Sequence, residues 1–195
     1  MMRFIETIKI ENGVAQNLDL HLKRASRTCF YHFGVRTVFP FDTIINEFRS
    51  SHNEGIYKLR VVYTDRIEHF TIEQYQPKIV KSLKIVDGGN IDYSFKYEDR
   101  LALNKLLDQR EDCDDIIIVK DGFVTETSYS NLVFSDGEQF FTPSGFLLNG
   151  TKRQQLLRDG KIIEKEIKME DISRYSSVYM INSMLDFIPV KRIII

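Results

Sequence analysis

Three stretches hold the residue types that chemistry needs. In FVTETSYSNLVF, residues 123–134, the acid Glu126 stands beside Phe123 and Val124 in what reads as a strand, a polar turn and a second strand. Such a carboxylate is either a solvated sheet edge or an acid held inside for a purpose. In YSFKYEDR, Lys96 falls just before or within the first turn of a predicted helix, and Arg100, four residues on, can share its side. A second cation and partial burial by Phe95 both favour the neutral amine, the form that attacks an aldehyde. Taken alone, a lysine is an ordinary solvated side chain. In LLNGTKRQQLL, residues 147–157, Gly150 permits close backbone approach and the next helix presents N–H groups at its start. The Thr151 and Lys152 amides, with the helix dipole behind them, suit a phosphate; the same pattern also serves a plain loop-to-helix junction. Asn182-Ser183 is a further polar anchor, and Arg24 a source of a charge-assisted bond.

These groups need elements to hold them. Phe4 to Ile10 reads as a strand, and Glu11-Asn12-Gly13 as a turn that returns it as a hairpin. Leu18, Leu22, Ala25 and Cys29 recur at helical spacing, which puts Arg24 off the buried stripe. A second helix is predicted over 41–48, and strands over 57–62 and 67–73. Within 57–62, Lys58 and Arg60 share the face opposite Tyr57, Leu59 and Val61. Pro77 and Gly88-Gly89 bracket a passage between two lobes, giving 1–80 and 81–195 as the expected domains. The second half opens with a helical segment over 97–109 that carries Leu101 and Leu106 toward a core. Strands follow at 116–119, 123–126, 132–134 and 178–181, with a loop at TPSGFLLNG and a helix over 151–158. The pattern is α+β in two lobes.

Composition narrows the partners. With 43% hydrophobic and 28% charged residues, a chain of 195 can build a core without disulfides or metal. Cys29 and Cys113 make no disulfide framework, and the four histidines have no zinc-site spacing. A formal net charge of -1 argues against nucleic acid as a partner. The start MMRFIETIKI lacks a signal-peptide run and no segment is long enough to span a membrane, so the expectation is a cytoplasmic protein.

Taken in order, FIETI, HLKR, KYEDR, VTETSYSNLVF, TPSGFLLNGTKR and NSMLDFIPV resemble the class IV aminotransferase superfamily. These are the fold-type IV pyridoxal-phosphate enzymes, including branched-chain and D-amino-acid transaminases and aminodeoxychorismate lyase. The resemblance extends over almost the whole chain. It implies a small N-terminal α/β lobe, a larger C-terminal lobe with a barrel-like sheet, and a homodimer with pyridoxal 5'-phosphate between the lobes. On this resemblance Lys96 is the lysine joined covalently to the cofactor. Glu126 would contact the pyridine nitrogen and make the ring a better electron sink. Arg24, the Thr151 and Lys152 amides after Gly150, and Ser183 match phosphate contacts, and Asn131 matches a site-shaping asparagine.

Two departures bear on cofactor and substrate. The phosphate segment usually written G-I-T-R is Gly150-Thr151-Lys152-Arg153 here, so a lysine replaces the expected third-position hydroxyl. The YGDG-like segment before the first strand and the glycine-rich arginine loop are absent from the pattern, which leaves Lys58 and Arg60 to meet a substrate carboxylate. NSMLDFIPV is closer to the lyase pattern than to the glycine-threonine corner of branched-chain transaminases. The expected reaction is therefore conversion of 4-amino-4-deoxychorismate to 4-aminobenzoate and pyruvate. The alternatives are amino transfer on branched-chain or D-amino acids, or a non-catalytic relative that keeps the fold.

Overall fold

The structure, a computed structural model, describes residues 2–52 and 54–194. Its contacts group Met1–Pro77 with Phe95–Asp99 as one unit, and Lys78–Ser94 with Arg100–Ile195 as a second.

In the first unit, β1 (Phe4–Glu11), β2 (Val14–Ala15), α1 (Leu18–Phe33), α2 (Phe41–Arg49), β3 (Ile56–Tyr63) and β4 (Ile67–Gln74) follow one another. The strands make one antiparallel sheet in the order β2-β1-β3-β4. Asn12 and Gly13 both take positive φ, 49° and 75°, the hairpin geometry that matches strand twist. Phe4, Ile8 and Ile10 point from β1 into a core shared with Ala25 and Cys29 of α1, Phe41 and Ile45 of α2, and Leu59 and Val61 of β3. Each larger side chain so buried contributes roughly 2 kcal/mol. Residues 95–99 complete this unit. The Ile5 N–H donates to the Lys96 carbonyl and the Glu98 N–H to the Arg3 carbonyl, both at 2.9 Å, with Phe4 opposite Tyr97. Phe95 and Tyr97 set their rings against Phe4.

That pairing corrects the helix expected over 97–109. Residues 96–98 lie along β1 instead, and α3 spans Leu101–Leu107, between β5 (Ser82–Asp87) and β6 (Asp115–Lys120). Leu101, expected in a core, is 60% exposed, and Leu103 is buried in its place. The rest of the second unit is β7 (Phe123–Thr127), β8 (Asn131–Ser135), β9 (Phe140–Pro143), α4 (Thr151–Arg158), β10 (Ile163–Lys165), β11 (Ser177–Asn182), β12 (Leu185–Val190) and β13 (Arg192–Ile194).

The second unit's nine strands run β10-β9-β8-β7-β6-β5-β13, and the sheet branches at β8, where β11 pairs and carries β12. β5 is parallel to β6 and to β13, while the β6-β7-β8 meander is antiparallel. The apolar run in β6 is buried along its length, as a strand covered on both faces requires. Among the described residues no helix is long and apolar enough to cross a membrane.

Candidate active site

The first unit builds its polar cluster on a strand that should be apolar at that point. Glu6 shares the phase of Phe4 and Ile8 on β1 and is fully buried. Three donors from α1 converge on it. Arg24 Nε donates to Oε1 at 2.8 Å, Arg24 Nη2 to Oε2 at 2.5 Å, and His21 Nδ1 lies 2.5 Å from Oε2. Burial alone would raise the Glu6 pKa, but the Arg24 charge and the hydrogen bonds from Arg24 and His21 bring it down from 4.5 to about 2. Since Glu6 is an anion, Nδ1 of His21 carries the hydrogen between them. Burial pushes the His21 pKa below its usual value against the pull of Glu6, and the Arg24 and Lys96 charges push the same way.

This geometry corrects the stripe read from the sequence. The fully buried face of α1 is His21, Ala25, Thr28 and Cys29, and the Arg24 side chain is only 13% exposed. Leu18 and Leu22 pack at the margin of the core.

Lys96 belongs to the same unit as Glu6, His21 and Arg24. It does not share a helical side with Arg100, because residues 96–100 are not helical. Arg100 instead donates from Nη2 to the Ser128 carbonyl at 2.9 Å, within the second unit. Glu98, two residues after Lys96, pairs with Arg60 at 3.3 Å and with Arg3 at 2.6 Å, so Arg60 is tied to the strip that carries Lys96. Lys58 pairs with Glu73 across the β3–β4 register at 2.6 Å and holds that carboxyl below its usual range.

The second unit gathers the other six expected residues. Glu126, 7% exposed, lies on β7 opposite Asn131 of β8. The β6–β7 register slips by one residue at Thr125, whose Oγ1 donates to the Ile118 carbonyl at 2.7 Å; a bulge of this kind re-aims the neighbouring side chain. Glu126 Oε2 accepts from the Leu147 N–H at 2.6 Å and the Leu148 N–H at 3.0 Å. Glu126 is thus not a solvated sheet edge but an interior acid, held by backbone amides.

Asn131 closes the same loop from the other side, donating from Nδ2 to the Leu148 carbonyl at 3.1 Å. Its Oδ1 lies so close to Gly150 that a Cβ there would overlap it, so this position requires glycine. Gly150 caps α4 without a capping oxygen, and the first turn holds Thr151, Lys152 and Arg153 with no acid. Cations at a helix N-terminus oppose the helix dipole, and an anion at the same place would be favoured. Lys152 pairs with Asp186 of β12 and donates to Gln155 Oε1 at 3.1 Å. That pair links α4 to the β11–β12 corner carrying Ser183. Asn182 fixes the corner, accepting on Oδ1 from the Met184 and Leu185 N–H groups and donating from Nδ2 to Ser130 Oγ at 2.9 Å.

An interior carboxylate and a helix start with no acid in its first turn are groups that suit a phosphorylated cofactor with a ring nitrogen. Sequence reasoning missed Glu6, His21 and Arg153. For Glu6 a signal existed: its phase on the strand is that of Phe4, Ile8 and Ile10.

Comparison with known proteins identifies the family. The family model described as amino-transferase class IV matches residues 94–193. An uncharacterized protein of Haemophilus influenzae is 37% identical over 188 residues, covering 94% of this chain and 98% of that one. The aminodeoxychorismate lyase of Bacillus subtilis is 30% identical over 112 residues, 51% of this chain and 38% of the relative. A crystal structure from Haemophilus somnus, described as a candidate 4-amino-4-deoxychorismate lyase, superposes with a TM-score of 0.85 at 36% identity. The match covers 94% of this chain and 97% of that one.

Proposed function

The chain belongs to the class IV amino-transferase family, and we propose that it holds pyridoxal 5'-phosphate and converts 4-amino-4-deoxychorismate to 4-aminobenzoate and pyruvate. The observation that carries the cofactor reading is the second unit's network, in which Glu126, Asn131 and the first turn of α4 are joined through one loop. Glu126 would hold the ring nitrogen. Thr151, Lys152 and Ser183 would serve the phosphate. In the first unit, taken by itself, Glu6 fixes along its Nε–Nη2 edge the guanidinium of Arg24, the arginine expected to meet a phosphate.

When bound, pyridoxal phosphate supplies an electron sink for the pair left at the substrate Cα. Lys96 would hold the cofactor covalently and, once released, its amine would take the Cα proton. Departure of the pyruvate fragment lets the six-membered ring aromatise. Arg60, tied to the Lys96 strip through Glu98, is the stronger of the two candidates for a substrate carboxylate, and Lys58 the weaker. The lyase reading is supported by NSMLDFIPV and by the lyase descriptions attached to the Haemophilus somnus and Bacillus subtilis relatives. One observation favours amino transfer instead: Arg60 and Lys58 already hold Glu98 and Glu73, which suits a substrate with fewer carboxylates. A symmetric dimer is part of the proposal, and the exposed Phe30, Tyr31, Val35 and Val38 give it apolar surface to use.

The test measures pyruvate and 4-aminobenzoate from 4-amino-4-deoxychorismate beside 2-oxo acids from L- and D-amino-acid panels. Equal amounts of the first two, with little amino transfer, are expected. Efficient amino transfer without 4-aminobenzoate would overturn the lyase reading. Borohydride reduction and peptide mapping should place the cofactor on Lys96, and an adduct elsewhere in active protein would reject that role.

A further inference from the structure

Arg153 is among the largest fully buried side chains of the molecule, although it is a cation on a surface helix. It stands three residues before Leu156, which packs into a cluster with Val133, Ile162 and Ile181, so α4 turns a guanidinium and a leucine inward together. Its Nη2 donates to the Pro143 carbonyl at 2.9 Å and to Glu164 at 2.5 Å, and its Nη1 to Asn149 Oδ1 at 3.1 Å. The guanidinium also lies 4.7 Å from the centre of the Phe146 ring. One side chain thus touches the start, middle and end of the loop running from β9 into α4. This is the loop whose Leu147 and Leu148 amides hold Glu126 and whose Leu148 carbonyl meets Asn131.

From this geometry we infer that Arg153 is the positioning residue for Glu126, setting the loop that fixes the carboxylate's orientation toward a cofactor ring. The inference rests on the proposed function only for the identity of that ring. Stability alone does not account for the residue. A buried cation is costly to desolvate, and Arg153 leaves its own Nε buried without a partner, where a leucine would leave nothing unmet. What a leucine could not do is bridge three points of a loop with a rigid fork of donors. Lysine cannot do it either, because its single nitrogen cannot reach the Pro143 and Asn149 acceptors in one plane.

The test compares wild type with Arg153→Lys and with Asn149→Ala, which removes a single link. In ¹⁵N-labelled protein without cofactor, the Leu147 and Leu148 amide protons should resonate far downfield because they face a carboxylate, and Glu126→Gln identifies them by moving both. Arg153→Lys should shift both upfield, with Asn149→Ala moving them the same way by less. In cofactor-loaded protein Arg153→Lys should lower kcat on the order of tenfold to a hundredfold with a small change in KM. It should also move the pH midpoint of the bound-cofactor absorbance. Should Arg153→Lys fail to fold, Asn149→Ala decides alone. Unmoved Leu147 and Leu148 resonances in every folded variant would overturn the inference. So would a loss of cofactor retention with unchanged kcat and pH midpoint, the mark of a merely structural role. Amide shifts that follow Arg153 in a protein that takes up no pyridoxal phosphate would keep the positioning role and reject the proposed function.

Discussion

The two buried glutamates, Glu6 and Glu126, sit on strands in different units and are held by opposite means. Glu6 is held by side chains, two donors from Arg24 and one from His21, all on a single helix. Glu126 is held by main-chain amides of a loop. A side-chain partner makes a site depend on residue identity, and its charge sets the acid's pKa. An amide partner makes the site depend on the path of the chain, so the residues that matter are those shaping that path: Asn131, Gly150 and Arg153. The contrast suits the roles proposed for them. Glu6 has only to hold Arg24 still, while Glu126 has to face a ring.

Substituting the two acids should separate these mechanisms, and the larger effect on stability is expected at Glu6. In Glu6→Gln three donors meet an amide with one acceptor, leaving Arg24 poorly paired in the interior. Unfolding free energy should fall by roughly 3 kcal/mol, read from urea transitions with an unchanged slope. Stability equal to wild type would mean that Glu6 is not the anchor of α1. Glu126→Gln should leave the fold intact, because an amide oxygen still accepts from Leu147 and Leu148, yet lower kcat about a hundredfold. A loss of stability in place of turnover would erase the distinction.

Acid should find Glu6 as well. Its pKa falls on folding from 4.5 to about 2, so its contribution is complete above about pH 4.5 and is lost as the pH drops toward 2. The amount is roughly 3 kcal/mol. His21, whose pKa is also lowered on folding, adds a loss that begins as the pH falls below about 6.5. Glu6→Gln should flatten the lower part of this profile, and a profile that keeps its shape would reject the assignment.

Smaller effects sharpen the path argument. Gly150→Ala forces its methyl into Asn131 Oδ1 and should cost about 2 kcal/mol or an equivalent loss in cofactor retention. Lys58→Ala removes a solvent-screened pair with Glu73 and should leave the urea midpoint close to that of wild type. A clear rise in KM on the same change would promote Lys58 to a substrate contact.

Much of the second unit's candidate site was legible because its residues are local. Glu126 and Asn131 flank one turn, and Gly150, Thr151 and Lys152 are consecutive, so short motifs and helix-start chemistry describe them. The first unit's cluster depends on pairing between distant segments. Nothing near Lys96 shows that residues 96–98 will lie along β1, which is why a helix seemed to start at 97 and Arg100 seemed to be its neighbour. His21 escapes the stripe of Leu18, Leu22, Ala25 and Cys29, because periodicity counts apolar residues and this helix buries polar ones. Arg153 was unreadable for the same reason: a helix that buries a cation looks, in sequence, like one that exposes it.

The pairing of residues 95–99 with β1 also governs the order in which the first unit can form. During synthesis β1 emerges early, yet the strip that meets Arg3 and Ile5 and packs rings on Phe4 follows some ninety residues later, after β5 of the second unit. Closing so long a loop is entropically slow, and contacts distant in sequence delay folding. A nascent chain halted after β4 would therefore carry a first unit in which Phe4 keeps His32, Phe33 and Tyr63 but lacks Phe95 and Tyr97, leaving part of its face open to chaperones and to other chains. Completion of one unit is thereby made to wait for the arrival of the next.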